Sequence, residues 1–201
     1  MSATPHAVPL VDSHDVALQR ALAAYVARWP DEQACVEDFL ALLSLPVDVY
    51  VRERLEGHLT ASAWLVDQAG ARVLLTHHRK LGRWLQLGGH ADGDRALPEV
   101  ALREAREESG LADLRLQSPA IFDLDRHWIP ERRDVPAHWH YDVRYVVRAG
   151  GDETYAVSEE SLDLAWRDIA ALVDDTTADA SLRRMASKWR GRTDAGRSPA
   201  A

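Results

Sequence analysis

Three glutamates in one short segment, Glu104, Glu107 and Glu108, have a spacing that lets them act together. Residues three and four positions apart on an α-helix lie on the same face, so the three carboxylates fall within one arc. Leu97 and Val100 occupy that arc as well. Because an amphipathic helix turns its apolar stripe toward the core, these carboxylates are expected to point toward the protein body.

Carboxylates that share one helix face repel each other, and partial burial raises that cost. A divalent cation removes the difficulty, since Mg²⁺ prefers carboxylate oxygens as ligands. Gly88 and Gly89 precede the segment, and glycine allows the backbone to approach the same point closely. An ordinary solvated helix is the alternative interpretation of an isolated E-x-x-E-E pattern. The glycine pair in front and Gly110 behind favour a metal site.

The segment from Gly89 to Leu111 resembles the box of the Nudix hydrolases, which is written G-x(5)-E-x(7)-R-E-U-x-E-E-x-G-U with U an aliphatic residue. The positions that match are Gly89, Arg103, Glu104, Ala105, Glu107, Glu108, Gly110 and Leu111. The resemblance extends from about residue 60 to about residue 175, and it leaves the N-terminal part of the chain outside the family domain.

This resemblance implies a hydrolase that uses Mg²⁺, or Mn²⁺ in its place, to cleave a diphosphate linkage in a nucleoside diphosphate joined to another moiety. Glu104, Glu107 and Glu108 carry over as catalytic residues and metal ligands, with the Gly88 carbonyl as a further ligand. Arg103 carries over as the catalytic-site arginine that orients a box glutamate by ion pairing. The cation is expected to neutralise phosphate oxygens and to lower the pKa of a water molecule.

The general base stays open between a box glutamate and an acid from a later loop. Glu159 and Glu160 are the later candidates, although a solvated pair of loop residues is the alternative interpretation. Arg95 stands where the box has its first glutamate, and Asp94 is expected to supply the missing charge at the helix start. Leu87 stands where the family often has proline, a change that is expected to affect loop rigidity more than chemistry.

A basic run, residues 77–83, precedes the glycine pair and contains no acid. Its fixed positive charges, Arg79, Lys80 and Arg83, are predicted to bind substrate phosphates in an otherwise acidic protein. A solvated turn is the alternative interpretation of such a run.

Histidines alternate in a later segment that has the composition of a strand. His138, His140 and Asp142 share one face of that strand if it is extended, and His127 lies earlier in the chain. We predict that His138 and His140 contact the substrate. Structural hydrogen bonds to loops and a second metal site that includes His127 are the alternatives.

Two other functions fit parts of the pattern. A Nudix-fold module that senses a nucleotide with little or no turnover is favoured by Arg95 alone. An isomerase acting on an isoprenyl diphosphate would need a cysteine near the active site, whereas Cys35, the single cysteine, lies in the predicted N-terminal helices. The hydrolase therefore remains the leading hypothesis.

The elements that position these residues predict a mixed α/β (α+β) sandwich with an N-terminal helical extension. The resemblance implies that this sandwich is of the Nudix type, with α/β/α layers and a mixed sheet. A helix is predicted over Leu97–Ser109, with Gly110 ending it. The other predicted elements are helices over residues 14–45 (interrupted at Trp29-Pro30, with Asp31 as the next N-cap) and 180–189, strands over 61–67, 71–78, 121–125, 140–149 and 162–166, and a glycine-rich loop over 87–94. The predicted domains are a helical extension (1–55), a Nudix domain (56–190) and a disordered tail (191–201).

Composition limits the partners of this 201-residue chain. Its formal charge of -8 at pH 7 argues against general nucleic-acid binding and against binding to an anionic membrane. No window approaches the roughly 20 apolar residues of a membrane span, and the N-terminus does not resemble a secretory signal, so a cytoplasmic location is expected. The expected partner is a small nucleotide or another diphosphate, and the N-terminal helices with seven tryptophans are compatible with a homodimer.

Overall fold

Five α-helices and eight strands make up the part of the chain that the computed structural model describes, namely residues 13–79, 81–131, 135–157 and 161–196. The helices are α1 (Ser13–Arg28), α2 (Gln33–Leu43), α3 (Leu97–Ser109), α4 (Ile169–Asp174) and α5 (Ala180–Gly196). The strands are β1 (His58–Val66), β2 (Arg72–His78), β3 (Arg83–Leu85), β4 (Leu87–His90), β5 (Leu114–Leu116), β6 (Asp123–Ile129), β7 (His138–Ala149) and β8 (Ser161–Asp168). Within this part of the chain, no helix combines the length and the apolar character that crossing a membrane requires.

The strands form one mixed sheet with β1 near its centre. Strand β1 is parallel to β7 and antiparallel to β2 and β4. The main path of the sheet is β3-β2-β1-β7-β5, and β8 pairs with β2 while β6 pairs with β7. Because β4 pairs only with the first half of β1, its two glycines come to lie beside the middle of the sheet. The predicted mixed sheet is confirmed.

Alternate side chains of β1 belong to two different cores, as expected for a strand with both faces covered. Ala63 and Leu65 pack in a core that includes Ala105 of α3. Trp64 packs on the opposite face, in a core with Met185 of α5. The sheet is thus a layer between α3 on one side and α4 and α5 on the other, which is the predicted sandwich.

The N-terminal helices extend the core on the α3 side of the sheet. Leu22 of α1 and Phe39 of α2 are fully buried, and they share one core with Leu97 and Val100 of α3. The helical extension therefore packs on the same domain that carries the three glutamates.

A buried ion-pair network also joins the N-terminal helices to α5 around the edge strand β6. Lys188 Nζ donates to Asp123 at 2.7 Å and to the Tyr25 hydroxyl at 2.6 Å. Arg184 and Arg144 contact the same carboxylate at 2.8 and 3.1 Å. Burial alone would raise the pKa of Asp123, but the three cations outweigh it and hold that pKa below its ordinary value.

The predicted helix over Leu97–Ser109 is confirmed with both its ends. Gly110 has a φ of 70°, a left-handed conformation that glycine adopts without strain, and its N–H donates to the Arg106 carbonyl at 2.9 Å. The break at Trp29-Pro30 is confirmed as well, but Asp31 is not an N-cap. It lies inside a 3₁₀ turn (Pro30–Glu32), and α2 begins only at Gln33.

Three further predictions from the sequence are corrected by the structure. The glycine-rich segment is a strand from Leu87 to His90, because its main chain pairs with β1 although glycine disfavours strands. The strand predicted over residues 121–125 begins at Asp123 and runs to Ile129. Residues 191–196 continue α5 rather than forming a disordered tail, and residues 197–201 lie outside the described part of the chain.

Candidate active site

The last two turns of α3 bring two of the three glutamates onto the glycines of β4. Glu108 is 8% exposed, and its Oε1 accepts a hydrogen bond from the Gly88 N–H at 2.7 Å. Glu104 is half-buried and lies against Gly89. Glu107 is exposed on the same helix, three residues after Glu104. The predicted inward direction is therefore confirmed for Glu104 and Glu108, whereas Glu107 faces solvent.

Gly89 leaves room for the carboxyl group of Glu104. A Cβ atom built on Gly89 would overlap the Glu104 carboxyl group, so any larger residue would displace that group. Gly89 therefore allows the close approach to the backbone that was predicted for the glycine pair, here by the Glu104 side chain.

Arg103 connects the start of α3 with the glutamates. Its guanidinium is 3.2 Å from Asp94 Oδ2 and 3.6 Å from Glu104 Oε1. The other oxygen of Asp94 accepts the Ala96 N–H at 2.9 Å. Asp94 thus supplies negative charge at the helix start, as expected, although α3 has no side-chain N-cap bond of its own.

Arg95, the departure from the box pattern, contacts α1 and the loop after α2. Its guanidinium donates to both oxygens of Asp15, at 3.0 and 3.1 Å, and lies 3.5 Å from Asp48. It also stacks over the Tyr50 ring at 4.7 Å from the centroid. Arg95 therefore fastens α1 and the loop after α2 to the start of α3.

Arg79 and Arg83, two of the residues predicted to bind phosphate, contact other parts of the protein. Arg79 donates to the Ser161 carbonyl at 2.8 Å, and Arg83 forms an ion pair with Asp179 at 3.1 Å. Lys80, Glu159 and Glu160 lie outside the described residues. The roles assigned to these five residues remain predictions.

Three histidines meet on the sheet face opposite α3. His138 Nε2 is 3.0 Å from His140 Nε2, and the ring of His58 lies 5.1 and 5.0 Å from these two rings. One ligand atom from each of the three histidines lies within 4.8 Å of the other two, the one such group of potential metal ligands found among the described residues. The box glutamates do not form a comparably tight group.

Two more histidines border this group, whereas Asp142, which was predicted to share the strand face of His138 and His140, bonds to other residues. The rings of His90 and His127 lie 5.0 and 5.4 Å from that of His140. Burial lowers the pKa of His90 to about 4 and that of His140 to about 2, so both rings are neutral near pH 7. Asp142 is instead bonded to Ser62 at 2.8 Å and to Arg144 at 2.7 Å.

Sequence reasoning did not include His58 or His90 in the histidine group. Their places depend on strand register, because β1 pairs His58 with His140 and β4 pairs His90 with Thr60. Register between strands distant in sequence is not visible in either strand alone. The one available indication was the position of His90 directly after the glycine pair.

Comparison with known proteins agrees with this architecture. A family model described as the NUDIX domain matches residues 57–188. The chain therefore belongs to the Nudix family, which confirms the family predicted from the sequence. A comparison with curated proteins gave no match.

Solved structures share the fold at low sequence identity. A NUDIX-family hydrolase from Clostridium perfringens is 24% identical with a TM-score of 0.53, and the match covers 68% of this chain and 97% of that one. An Ap4A hydrolase from C. elegans is 14% identical (TM-score 0.52, 68% and 98% covered). A MutT protein from Methanosarcina mazei is 18% identical (TM-score 0.51, 70% and 97% covered). These likenesses confirm the Nudix-type fold.

Proposed function

We propose that this Nudix protein hydrolyses a diphosphate linkage in a nucleoside diphosphate joined to another moiety, with Mg²⁺ or Mn²⁺ as cofactor. The observation that carries the proposal is the contact of Glu108 with the Gly88 N–H, at 2.7 Å, beside the contact of Glu104 with Gly89. These contacts place two carboxylates of the box at one point of the strand.

The donor set fits a hard divalent cation. Glu104 and Glu108 bring two carboxylates toward the protein interior from one helix face, where like charges repel unless a cation joins them. Glu104, Glu107, Glu108 and the Gly88 carbonyl would hold the ion, and all four are oxygen donors of the kind that Mg²⁺ prefers. When bound, such a cation neutralises phosphate oxygens and lowers the pKa of water.

The chain's own residues then position the metal ligands and the substrate. Arg103, within 3.6 Å of Glu104, is a positioning residue that limits where this carboxylate points. Gly89 leaves space for the same group, and the Gly88 N–H orients Glu108. We propose that the general base is a box glutamate or one of the pair Glu159 and Glu160.

The basic residues of the β2–β3 hairpin are proposed to bind the phosphates of the substrate. Arg79 and Arg83 already contact protein groups, so a bound phosphate would add to these contacts or replace them. Lys80 belongs to the same proposal. A contact of His138 and His140 with the substrate stays a prediction from the sequence.

The other two functions have less support than hydrolysis. The sensing hypothesis depended on Arg95, whose contacts with Asp15 and Tyr50 give it a structural role instead. The isomerase hypothesis needs a reactive cysteine. Cys35 lies in α2, and burial raises the pKa of its thiol to about 11, so the thiolate form is scarce near pH 7.

A panel of diphosphate compounds tests the proposal. Nucleoside triphosphates, nucleotide sugars, coenzymes and dinucleoside polyphosphates, including the Ap4A named for the C. elegans hydrolase, are incubated with the protein and Mg²⁺ or Mn²⁺. We expect metal-dependent cleavage of at least one compound at its diphosphate linkage, identified by mass analysis of the products. Tight binding with no turnover of any compound would favour the sensing module instead.

A further inference from the structure

The Nε2 atom of His58 is a buried nitrogen without a hydrogen-bond partner among the described residues. His58 is 1% exposed, and its Nδ1 is 3.0 Å from the Arg54 carbonyl oxygen. Because a carbonyl oxygen only accepts, Nδ1 carries the hydrogen and Nε2 holds a lone pair. A buried acceptor left without a partner costs free energy, so its retention calls for a ligand.

His138 repeats this arrangement from the neighbouring strand. It is 5% exposed, and its Nδ1 lies 2.8 Å from the Pro136 carbonyl oxygen. The same reasoning places the hydrogen on Nδ1 and the lone pair on Nε2, which lies 3.0 Å from His140 Nε2. Two backbone carbonyls thus hold two imidazoles in the tautomer that offers Nε2 to a ligand.

We propose that His58, His138 and His140 form a binding site for a divalent transition metal ion of the zinc type, separate from the box glutamates. Three imidazoles suit zinc, cobalt or nickel, whereas Mg²⁺ prefers oxygen ligands. Three protein ligands also leave a fourth coordination position open. The proposal does not depend on the hydrolase function.

The geometry requires only small side-chain movements. One ligand atom of each histidine lies within 4.8 Å of the other two, while a tetrahedral zinc ion holds its nitrogen ligands about 3.4 Å apart. In the absence of metal, His140 Nε2–H donates to His138. Binding requires that His140 carry its hydrogen on Nδ1, which is a change of tautomer without net loss of a proton.

The surroundings resemble the outer shell of a metal site. Metal-binding histidines usually donate their second ring N–H to a carbonyl or carboxylate, as His58 and His138 do here. His127, beside His140, shares a hydrogen bond with Asp125 at 3.1 Å. Strand β4 connects this site with the other one, since His90 directly follows the glycines that contact the box glutamates.

Equilibrium dialysis against Zn²⁺ after removal of metal by a chelator tests the site without any activity measurement. We expect one tightly held Zn²⁺ per chain, and a thermal midpoint that rises with Zn²⁺ concentration, because a ligand that binds the folded state stabilises it. His138→Gln and His140→Gln should each lower Zn²⁺ affinity by about 100-fold or more. His77→Gln, which changes a histidine stacked on Trp84 outside the site, and the double variant Glu107→Gln/Glu108→Gln should retain the ion.

Cobalt supplies a second readout that needs no variant. Co²⁺ bound to the wild-type protein should give the intense visible absorption of a four-coordinate, nitrogen-ligated ion, and Zn²⁺ should displace it. Weak absorption typical of six oxygen ligands would overturn the proposal. The proposal would also fail if Zn²⁺ did not saturate at one site, or if only the glutamate variant lost it.

Discussion

The guanidinium of Arg95 donates to both carboxylate oxygens of Asp15, at 3.0 and 3.1 Å, although the two residues are 80 positions apart. The hydroxyl of Tyr50 donates to the same carboxylate at 2.8 Å. The residue that departs from the Nudix box thus connects the N-terminal extension to the start of the helix that carries the glutamates. Its charge is paired there with Asp15 and Asp48.

A double-mutant cycle measures this connection. Arg95→Gln and Asp15→Asn should each lower the free energy of unfolding, and the double variant should lose less than the sum of the two. We expect a coupling of about 1 kcal/mol that shrinks at high salt, because the side chains are 28% and 26% exposed. Urea unfolding of the four proteins gives the value, and strictly additive losses would show that the pair contributes nothing.

Arg95→Glu restores the residue that the family has at this position, and it separates a structural from a catalytic role. The new carboxylate would face Asp15 and Asp48, so we expect a lower thermal midpoint. We expect no gain in turnover, because Arg95 binds Asp15, Asp48 and Tyr50 of the N-terminal extension. A clear rise in kcat would mean that the missing box glutamate had limited the reaction.

Gly89→Ala tests the close approach between β4 and the Glu104 carboxyl group. The added methyl would overlap the end of a flexible side chain, which can move aside, so stability should change by less than about 1 kcal/mol. Displacement of Glu104 should nevertheless lower kcat by at least about 10-fold and raise the Mg²⁺ concentration that gives half-maximal activity by a similar factor. Gly191→Ala, where an added Cβ meets nothing within 4 Å, is the matched control. Unchanged kinetics in Gly89→Ala would show that the position of the Glu104 carboxyl group does not matter for the reaction.

Acid stability should depend on Asp123 and its three cations. The pKa of Asp123 is lower in the folded state than in the unfolded state. The ionised carboxylate therefore stabilises the fold above the unfolded-state pKa of about 4, and this stabilisation is lost as the pH falls from there toward the folded-state pKa. Asp123→Asn should lower the free energy of unfolding by about 3–5 kcal/mol at pH 7, because Lys188 and Arg144 would stay buried after losing the carboxylate that they share.

Urea unfolding between pH 7 and pH 3 checks this expectation. The stability of the Asn variant should fall less steeply below about pH 4 than that of the wild type. The control is Asp163→Asn, which changes an exposed aspartate of β8 and should follow the wild-type curve. Parallel curves for Asp123→Asn and the wild type would contradict the folded-state pKa shift.

Local patterns in the sequence were enough to predict α3, the helix that carries the three glutamates. Its apolar spacing and Gly110 determine both ends, and these features act over a few residues. The box pattern likewise located Glu104 and Glu108 beside the glycines. Strand β4 was missed because glycine disfavours strands, and its pairing with β1 is a tertiary effect.

Long-range partners account for most of what sequence reasoning missed. In the sequence, Arg95 is only a departure from the box pattern. Its partner Asp15 lies beside it because α1 packs against the start of α3. The sequence indicated His138 and His140 but not His58, because His58 joins the group through the parallel pairing of β1 with β7. The buried cations around Asp123 come from β7 and α5, and neither segment alone indicates that they meet.

Replacing the glutamates on α3 tests the central claim most directly. Using the diphosphate compound that the wild-type protein cleaves fastest, kcat is measured with Mg²⁺ for Glu107→Gln, Glu108→Gln and the control Glu99→Gln, which changes an exposed glutamate of the same helix. The account predicts that kcat falls by about 100-fold or more in the first two variants while Glu99→Gln stays near wild type. Wild-type activity in both Glu107→Gln and Glu108→Gln would contradict the account.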